Sequence, residues 1–272
     1  YLYETLMAGT NAKVYLSVIP DKNYFLAEAN GYPALDYQAL TDALRKQTEF
    51  AAYIDLFGTL TADDYYRTDS HWRQENLLTT ADTLAAAMGV ALPDNRYTEW
   101  TLDRPYYGVY YGYAALTEAM GLDPVPLSAY EKTTVSTDFN GTTFSSSGVR
   151  WMTPDVIDQY VPEDGVEVTS WLGAEPQKGS LYDWSKLEEK DQYAFFMGGN
   201  QSLAVVRTEH TDAPKLLIVR DSYSDSLTPF LTERFSEIHL FDLRYNKTSL
   251  KDYIAQNDID SVLVLYNFSN FV

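Results

Sequence analysis

The stretch KLLIVRDSYSDSLTPFL, residues 215–231, decides the fold. Its continuous apolar run at 215–219 predicts a strand buried on both faces, and residues 226–235 predict a short helix. A polar turn that contains Ser222 lies between them. A strand, a polar turn and a helix in this order are typical of an α/β sheet that carries a site at the carboxyl ends of its strands.

Both ends of the chain repeat this alternation of apolar runs and helical patterns. Further strands are predicted at 14–19, 52–57, 237–241 and 261–267, and further helices at 34–50, 73–89 and 249–258. The alternation predicts an α/β fold, namely a three-layer α/β/α sandwich with a mostly parallel sheet. With 272 residues, we expect one domain that spans 1–272.

The middle of the chain, about 95–190, breaks the rhythm. It is rich in Tyr, Thr, Ser and Gly, and it contains the turn signals Asn140-Gly141 and Asp164-Gly165. We expect an irregular or β-rich insertion here, with antiparallel hairpins and one short helix near 114–121. Such an insertion either caps a site or forms surface loops.

Composition excludes several classes of function. A net charge of −19 argues against nucleic acid and against anionic membrane surfaces, since both require a basic patch. The absence of cysteine excludes disulfides, Cys-ligated zinc and thiol catalysis. No cofactor is expected. The 23 tyrosines indicate either core and rim packing or a surface on which sugars stack.

The start of the chain bears on its location. It begins at Tyr1 rather than Met, and no apolar run approaches 18 residues. We expect an N-terminal signal or anchor to precede this segment, and the absence of cysteine fits an extracytoplasmic protein without disulfides.

Two short motifs could carry chemistry. Ser222 is the first serine after the strand at 215–219, where a helix N-terminus would offer N–H groups to an oxyanion; Ser224 and Ser226 are the spare candidates. Ser226 also resembles a helix N-cap, and all three serines could be turn residues. In TDSHW, residues 68–72, Asp69 and His71 are spaced for a Ser-His-Asp arrangement if the segment is extended. Packing or capping roles remain the alternative.

Several blocks in matching order resemble a known family. These blocks are VYLSVIPDK, YIDLFGTLTADDYYRTDSHW, YAFFMGGN, LLIVRDSYSDSLTPFL and IHLFDLRYN. They resemble the bacterial DHHW proteins and, more distantly, the periplasmic alginate O-acetyltransferases of the AlgJ/AlgX type in the SGNH/GDSL hydrolase superfamily. The resemblance covers both ends of the chain and leaves the middle largely unmatched.

The resemblance implies a circularly permuted SGNH-like fold with a Ser-His-Asp triad. By this resemblance Ser222 is the nucleophile, His71 the general base and Asp69 its orienting carboxylate. Asn200 is implied as an oxyanion donor, with Gly199 or the Ser222 N–H as the second, although Asn200 could also be an ordinary loop residue.

This sequence departs from the family patterns at two named positions, and it has no separate glycine block, which leaves the second oxyanion donor open. Ser70 replaces the second letter of the DHHW name, and Arg220 replaces the glycine of a GDSL motif. The second departure puts the geometry of the nucleophile turn in question.

Charged residues that follow the predicted strands are further candidates for substrate binding. They are Asp21, Lys22, Arg220, Asp242 and Arg244. Surface ion pairs are the alternative interpretation. His210 and His239 have no acidic partner at a useful spacing, and we interpret both as structural.

The leading hypothesis is serine-dependent acyl-ester chemistry on cell-surface carbohydrate, as an O-acetyltransferase or O-acetylesterase. The partners would be a carbohydrate or acylated carbohydrate and a membrane-bound acyl donor protein, with no nucleic acid. The alternative is a noncatalytic glycan-binding or scaffold protein of the same fold. A metal-dependent hydrolase using Asp69, His71 and either Asp221 or Asp225 is a third hypothesis, although one histidine among scattered carboxylates makes a poor zinc site.

Overall fold

The structure is a computed structural model that describes residues 10–90, 105–110, 133–139, 142–148, 155–157, 161 and 163–270. The strands, in chain order, are β1 Lys13–Ile19, β2 Ala52–Ile54, β3 Pro105–Tyr106, β4 Thr133–Phe139, β5 Thr142–Gly148, β6 Asp155–Val156, β7 Glu167–Trp171, β8 Gln177–Gly179, β9 Leu203–Arg207, β10 Lys215–Arg220, β11 Glu237–Phe241 and β12 Ser261–Asn267. Within the described residues, eight of them form one sheet in the order β2-β1-β12-β10-β11-β9-β7-β8.

One half of this sheet is parallel. Strands β2, β1, β12, β10 and β11 run in the same direction, with Ile218 opposite both Leu263 and Leu240. Strands β9, β7 and β8 continue the sheet with antiparallel pairing. The prediction of an α/β fold is confirmed. The sheet is mixed: its parallel strands lie at one side and its antiparallel strands at the other.

Both faces of the sheet are covered, which is why its central strands are continuous apolar runs. Leu216 and Ile218 of β10 pack into one buried cluster, while Leu217 and Val219 pack into another. Alternating residues of one strand therefore enter separate cores, as the period of two in a strand requires.

The helices are α1 Lys22–Asn30, α2 Tyr37–Gln47, α3 Leu78–Ala87, α4 Tyr223–Leu231 and α5 Leu250–Gln256. Residues of α3 and α4 line the first core, and residues of α5 line the second. The covered sheet thus forms the middle of three layers. No helix in the described ranges is long and apolar enough to cross a membrane.

Helix boundaries differ from the sequence prediction in three places. Helix α1 was not predicted, because it buries only Ala27 and has no apolar stripe. It begins after Asp21, whose carboxylate accepts a hydrogen bond from the Tyr24 N–H, and it ends at Gly31, which has a φ of 69°. The pattern at 73–89 is a 3-10 turn, Gln74–Asn76, followed by α3. Helix α4 begins directly after Ser222, so the prediction that Ser226 caps the helix is wrong.

The predicted insertion is partly built into the main sheet. Strands β7 and β8 lie within 95–190 yet pair with β9 and with each other at the sheet edge. Strands β4 and β5 form a hairpin with Phe139 opposite Thr142, and Val166 N–H closes a turn onto the Glu163 carbonyl. The turn signal Asp164-Gly165 therefore marks a real turn, and an antiparallel hairpin is present in the region where hairpins were expected. The helix predicted near 114–121 and the residues Asn140 and Gly141 lie outside the described residues.

Candidate active site

The turn between β10 and α4 presents Ser222. Only Asp221 and Ser222 separate the last residue of the strand from the first of the helix. The Asp221 carboxylate accepts hydrogen bonds from the Tyr223 N–H at 3.1 Å, the Asn267 N–H at 2.6 Å and the Asn270 amide at 2.7 Å. These bonds fasten the turn to the end of β12. Burial nevertheless raises the pKa of Asp221, because the N–H donors only partly offset the loss of solvent.

The segment around His71 is a tight reversal rather than a helix. Tyr65 and Trp72 form an antiparallel bridge, and the Tyr66 N–H donates to the His71 carbonyl. This conformation lets two residues at i and i+2 face each other, which a helix does not. Asp69 Oδ1 lies 2.5 Å from His71 Nδ1 and accepts from the His71 backbone N–H at 3.0 Å.

Asp69 is held as a buried anion. Its second oxygen, Oδ2, accepts from the Val109 N–H at 3.0 Å, and the residue is 1% exposed. Burial alone would raise the pKa of Asp69, but the hydrogen bonds and charge of His71 together with the Val109 N–H hold it well below its usual range. The carboxylate is therefore ionised and aimed at one nitrogen of the imidazole.

The structure brings the two motifs together. His71 Nε2 lies 2.7 Å from Ser222 Oγ, which is hydrogen-bond distance for residues that are 151 positions apart. The side chains thus form a continuous series from Asp69 through His71 to Ser222. Both spare serines have other roles: the Ser224 hydroxyl donates to the Asp221 carbonyl, and Ser226 Oγ accepts from the Trp72 indole at 3.0 Å.

Strand ends from the predicted insertion support the Asp69 segment, and the sequence analysis missed them. The Asp155 carboxylate accepts from the Arg67 N–H at 3.1 Å, and from the Thr68 N–H and hydroxyl at 2.7 Å each. Gly108 packs so closely that a Cβ built there would lie 2.4 Å from the Asp69 Cβ. Gly108 stands in the Gly- and Tyr-rich RPYYGVYYGY run, but no local pattern marks Asp155, which lies 87 residues from Thr68.

A ring stack on His71 was also missed. The Tyr193 ring lies parallel to the imidazole, with centroids 3.7 Å apart and an interplanar angle of 10°. Tyr193 belongs to the YAFFMGGN block, yet nothing in its spacing from His71 indicates contact. The Tyr223 ring approaches the same imidazole at 4.7 Å with a tilt of 45°.

The expected oxyanion donors are only partly supported. The Gly199 N–H donates to the Phe196 carbonyl at 3.2 Å, so it is engaged within its own turn and its role as an oxyanion donor stays a prediction. Asn200 is exposed, and its Oδ1 accepts from Arg244 at 3.1 Å, with no bond to Ser222. The Ser222 N–H has no hydrogen-bond partner in the described part of the chain and lies at the start of α4. It is the donor that the geometry favours.

Two candidate substrate-binding residues at the end of β1 have different surroundings. Asp21 caps α1 and accepts from the Tyr37 hydroxyl at 2.6 Å, which is a structural role. Lys22 donates to the Tyr66 carbonyl, and its ammonium lies 4.9 Å from the centre of the Tyr110 ring. Burial lowers the pKa of Lys22 to about 8, although the charges of Asp69 and Asp155 oppose this. Lys22 therefore lies within the electrostatic field of the Asp69 site.

Arg220, expected as a candidate for substrate binding, is closed off from solvent instead. Its side chain is fully buried and pairs with Asp225 at 2.5 Å. Burial raises the pKa of Asp225 to about 7 despite the charge of Arg220. The departure from the GDSL glycine is thus accommodated by an ion pair under the turn that carries Ser222.

The other end of the site carries Asp242 and Arg244. Asp242 is fully buried, which removes it from substrate contact, and it pairs with Arg244 at 2.7 Å. The Arg244 side chain is 41% exposed. Because Val219 lies opposite Phe241 in neighbouring strands, Ser222 and Arg244 each stand three residues beyond a paired position. The carboxylates of Asp242 and, more weakly, Asp221 raise the pKa of Arg244, so its guanidinium lies within electrostatic reach of the turn that carries Ser222.

The two remaining histidines lie apart from Ser222. His239 of β11 is 1% exposed and contacts the Tyr253 hydroxyl at 2.7 Å and Glu237 at 3.1 Å. His210 is exposed and lies 3.6 Å from Glu233. Both therefore have acidic neighbours, contrary to the expectation from spacing. Within the described residues, no group of three or more His, Asp or Glu side chains is arranged to hold a metal ion.

A mixed α/β sheet with Ser, His and Asp side chains meeting beside the carboxyl ends of its parallel strands is the arrangement of the serine-hydrolase-like α/β proteins. Residues 3–149, just over half of the chain, match the family described as "SGNH hydrolase-like domain, acetyltransferase AlgX". The chain belongs to this family. The match includes Asp69 and His71 and ends before Ser222. No curated protein matches the chain.

Solved structures share the whole fold. A DHHW family protein from Eubacterium siraeum is 21% identical with a TM-score of 0.73, covering 97% of this chain and 80% of that one. PatB1 from Bacillus cereus is 16% identical with a TM-score of 0.66, covering 99% and 86%. The O-acetyltransferase domain of Pseudomonas putida AlgJ is 13% identical with a TM-score of 0.53, covering 98% and 78%. The resemblance drawn from the sequence is confirmed, and at these identities the likeness concerns the fold.

Proposed function

We propose that this chain is a serine-dependent O-acyltransferase or esterase that acts on carbohydrate esters through Asp69, His71 and Ser222. The observation that carries the proposal is the unbroken series of contacts, 2.5 Å from Asp69 to His71 and 2.7 Å from His71 to Ser222. Membership of an acetyltransferase family supports acetyl as the acyl group.

The geometry supports an acyl-enzyme mechanism. His71 Nε2 takes the hydroxyl proton of Ser222 as Oγ attacks the ester carbonyl carbon. The oxyanion of the tetrahedral intermediate accepts a hydrogen bond from the Ser222 N–H. The intermediate collapses as the ester C–O bond breaks, and His71 returns the proton to the departing oxygen. A sugar hydroxyl or water then gives its proton to His71, attacks the acyl-serine and restores Ser222.

Asp69 supports these proton transfers without itself changing protonation. Its carboxylate holds the Nδ1 proton of His71 and thereby presents Nε2 as the acceptor toward Ser222. The low pKa of Asp69 keeps this carboxylate charged while the imidazolium forms beside it.

Carbohydrate is the proposed acceptor class. Tyr107 and Tyr110 are 37% exposed on the segment that contacts Asp69, and Tyr245 is 54% exposed next to Arg244. Exposed aromatic rings provide apolar faces with polar tips, a combination that suits pyranose rings. Lys22 and Arg244 are the cations proposed to bind substrate hydroxyls or carboxylates.

We extend the proposal to location and partners. The substrate would lie outside the cytoplasm, and a membrane-bound protein would deliver the acyl group. The relation to AlgX and AlgJ supports this assignment. It would be tested by comparing acetyl transfer from whole membranes with transfer from a soluble acetyl ester.

The primary test combines turnover with covalent trapping. p-Nitrophenyl acetate hydrolysis and labelling by a sulfonyl fluoride would be measured for wild type, Ser222→Ala and the control Ser185→Ala at an exposed position. We expect hydrolysis and a single sulfonyl adduct in wild type and the control, and neither in Ser222→Ala. PatB1 has been solved with a sulfonyl adduct, which supports the choice of probe. Unchanged hydrolysis in Ser222→Ala would exclude the mechanism, and wild type without either signal would favour a noncatalytic glycan-binding protein.

A further inference from the structure

The contact between Tyr193 and His71 differs from ordinary aromatic packing. The rings are nearly parallel at 3.7 Å and 10°. The comparable pair elsewhere, His239 and Tyr253, meets edge to face at 5.6 Å and 73°. Aromatic pairs generally favour offset or edge-to-face arrangements, so a parallel stack on a proton-transferring imidazole requires an explanation.

The stack completes the restraint of the imidazole. Asp69 and Ser222 hold His71 through hydrogen bonds in the plane of the ring. Tyr193 covers one face of that plane, so rotation of the ring out of line with Ser222 would drive it into the tyrosine. Contacts in the plane and on one face therefore fix the orientation of both nitrogens.

Tyr193 is itself held in place from the nucleophile helix. The residue is 4% exposed, and its hydroxyl lies 2.8 Å from Ser226 Oγ. Ser226 stands four residues after Ser222, on the same side of α4. It also accepts from the indole of Trp72, the neighbour of His71 in sequence. One serine thus connects the tyrosine, the histidine segment and the nucleophile helix.

The ring also has an electrostatic consequence. The face of an aromatic ring attracts a cation, and the attraction strengthens where water is excluded. His71 is neutral before it takes the Ser222 proton and positively charged afterwards. The stack therefore stabilises the state that forms during proton transfer more than the resting state, which is the condition for lowering a barrier.

We propose that Tyr193 is a positioning residue of this site, whose ring face aligns His71 with Ser222 and favours the imidazolium that forms during acyl transfer. The inference rests on the proposed function for its catalytic part. Its physical part, the stack and its effect on His71, is independent of any substrate.

The experiment compares three variants with wild type. Tyr193→Leu removes the aromatic face, Tyr193→Phe keeps the face without the hydroxyl, and Tyr253→Leu removes the other histidine–tyrosine contact as a matched control. We expect Tyr193→Leu to lose about 3- to 30-fold in kcat/KM, mainly in kcat, and Tyr193→Phe to stay within about threefold of wild type. Tyr253→Leu should retain full activity per folded molecule.

The pH dependence separates this role from packing alone. Loss of the ring face destabilises the imidazolium, so the acid limb of the kcat/KM profile should move to lower pH in Tyr193→Leu but not in Tyr193→Phe. Among the described residues, the other charged or titratable groups around His71 are Asp69, Asp221, Asp225 and Tyr223, and all are unchanged across the variants. Equal losses in the Leu and Phe variants, or an unmoved acid limb, would overturn the inference.

Proton NMR of the histidines supplies a readout that needs no substrate. The chain has three histidines, so the Cε1 proton of His71 can be assigned by comparison with His210→Gln and His239→Gln. We expect an upfield ring-current displacement in wild type and Tyr193→Phe that disappears in Tyr193→Leu. Absence of this displacement in wild type refutes the stack even if a variant fails to fold. If wild type hydrolyses no ester, the proposed function fails, and the NMR result alone decides the inference.

Discussion

Substitution of Gly108 by alanine tests how tightly the Asp69 segment is held. A Cβ at this position would lie 2.4 Å from the Asp69 Cβ, 2.4 Å from the Thr68 carbonyl oxygen and 2.6 Å from Asp69 Oδ2. Ordinary van der Waals contact begins near 3.4 Å. Either the segment that carries Asp69 or the segment that carries Gly108 must therefore move by about 1 Å. The Val109 N–H is bonded to the same carboxylate, so both movements disturb Asp69.

The magnitude follows from that displacement. A shift of about 1 Å would stretch the 2.5 Å contact between Asp69 and His71 to the limit of hydrogen bonding. Misplacement on this scale costs about 10²-fold in rate, and complete loss of the orienting carboxylate costs about 10⁴-fold in a serine triad. We therefore expect kcat/KM for p-nitrophenyl acetate to fall between about 10²- and 10⁴-fold, equivalent to about 3–5 kcal/mol of transition-state stabilisation. Overpacking would destabilise the fold by about 1–3 kcal/mol.

The assay pairs steady-state kinetics with thermal unfolding, and it includes Gly173→Ala, where no atom lies within 4 Å of the added Cβ. The control should match wild type in both measurements. A double variant with Asp69→Ala should be no slower than Asp69→Ala alone, since both changes remove the same interaction. The reasoning is refuted if folded Gly108→Ala keeps wild-type activity, or if the double variant shows the full sum of the two losses.

Three further predictions follow from single contacts. Asp155→Ala leaves the Arg67 and Thr68 N–H groups without their acceptor, so kcat/KM should fall about 10-fold or more while KM changes little; an equal change in KM and kcat would contradict it. Burial lowers the pKa of Lys22 to about 8 in the folded chain from its ordinary value of 10.5, so the unfolded chain binds more protons between those two pH values. The free energy of unfolding from urea titrations should therefore rise between pH 8 and 10.5 more steeply in wild type than in Lys22→Met, and identical slopes would exclude the assignment. Arg220→Leu should destabilise the chain by about 3–5 kcal/mol because it leaves Asp225 buried without a partner, and Arg220→Leu/Asp225→Leu should recover much of this loss; a double variant as unstable as the single would contradict it.

The parallel half of the sheet was predictable because each central strand is buried on both faces and reads as an unbroken apolar run. The approach of His71 to Ser222 was predictable for a related reason, since both motifs lie beside helix starts at one edge of that sheet. Helix α1 was missed because it buries only Ala27. Strands β7 and β8 were not predicted as part of the main sheet because β8 is its edge strand and β7, next to it, alternates buried with partly exposed residues and has no continuous apolar run.

The supports of the site could not be predicted, because they depend on contacts between residues far apart in the chain. Asp155 reaches Thr68 across 87 positions, and Tyr193 meets Ser226 across 33. No periodicity marks such pairs. Gly108 is the partial exception, since an isolated glycine can signal close backbone approach, although nothing local identifies Asp69 as its neighbour.

Arg220 illustrates how the same site can tolerate a departure that the motif alone makes suspect. A glycine at the end of β10 would leave the space beneath the turn to other side chains, whereas Arg220 fills it and needs a buried counter-charge. Asp225 supplies that charge from the first turn of α4, three residues after Ser222. The pair therefore connects the last residue of the strand to the helix that begins directly after Ser222. Because Asp221 connects the same turn to the end of β12, Ser222 is held from two sides, and the loss of the motif glycine does not require a looser turn.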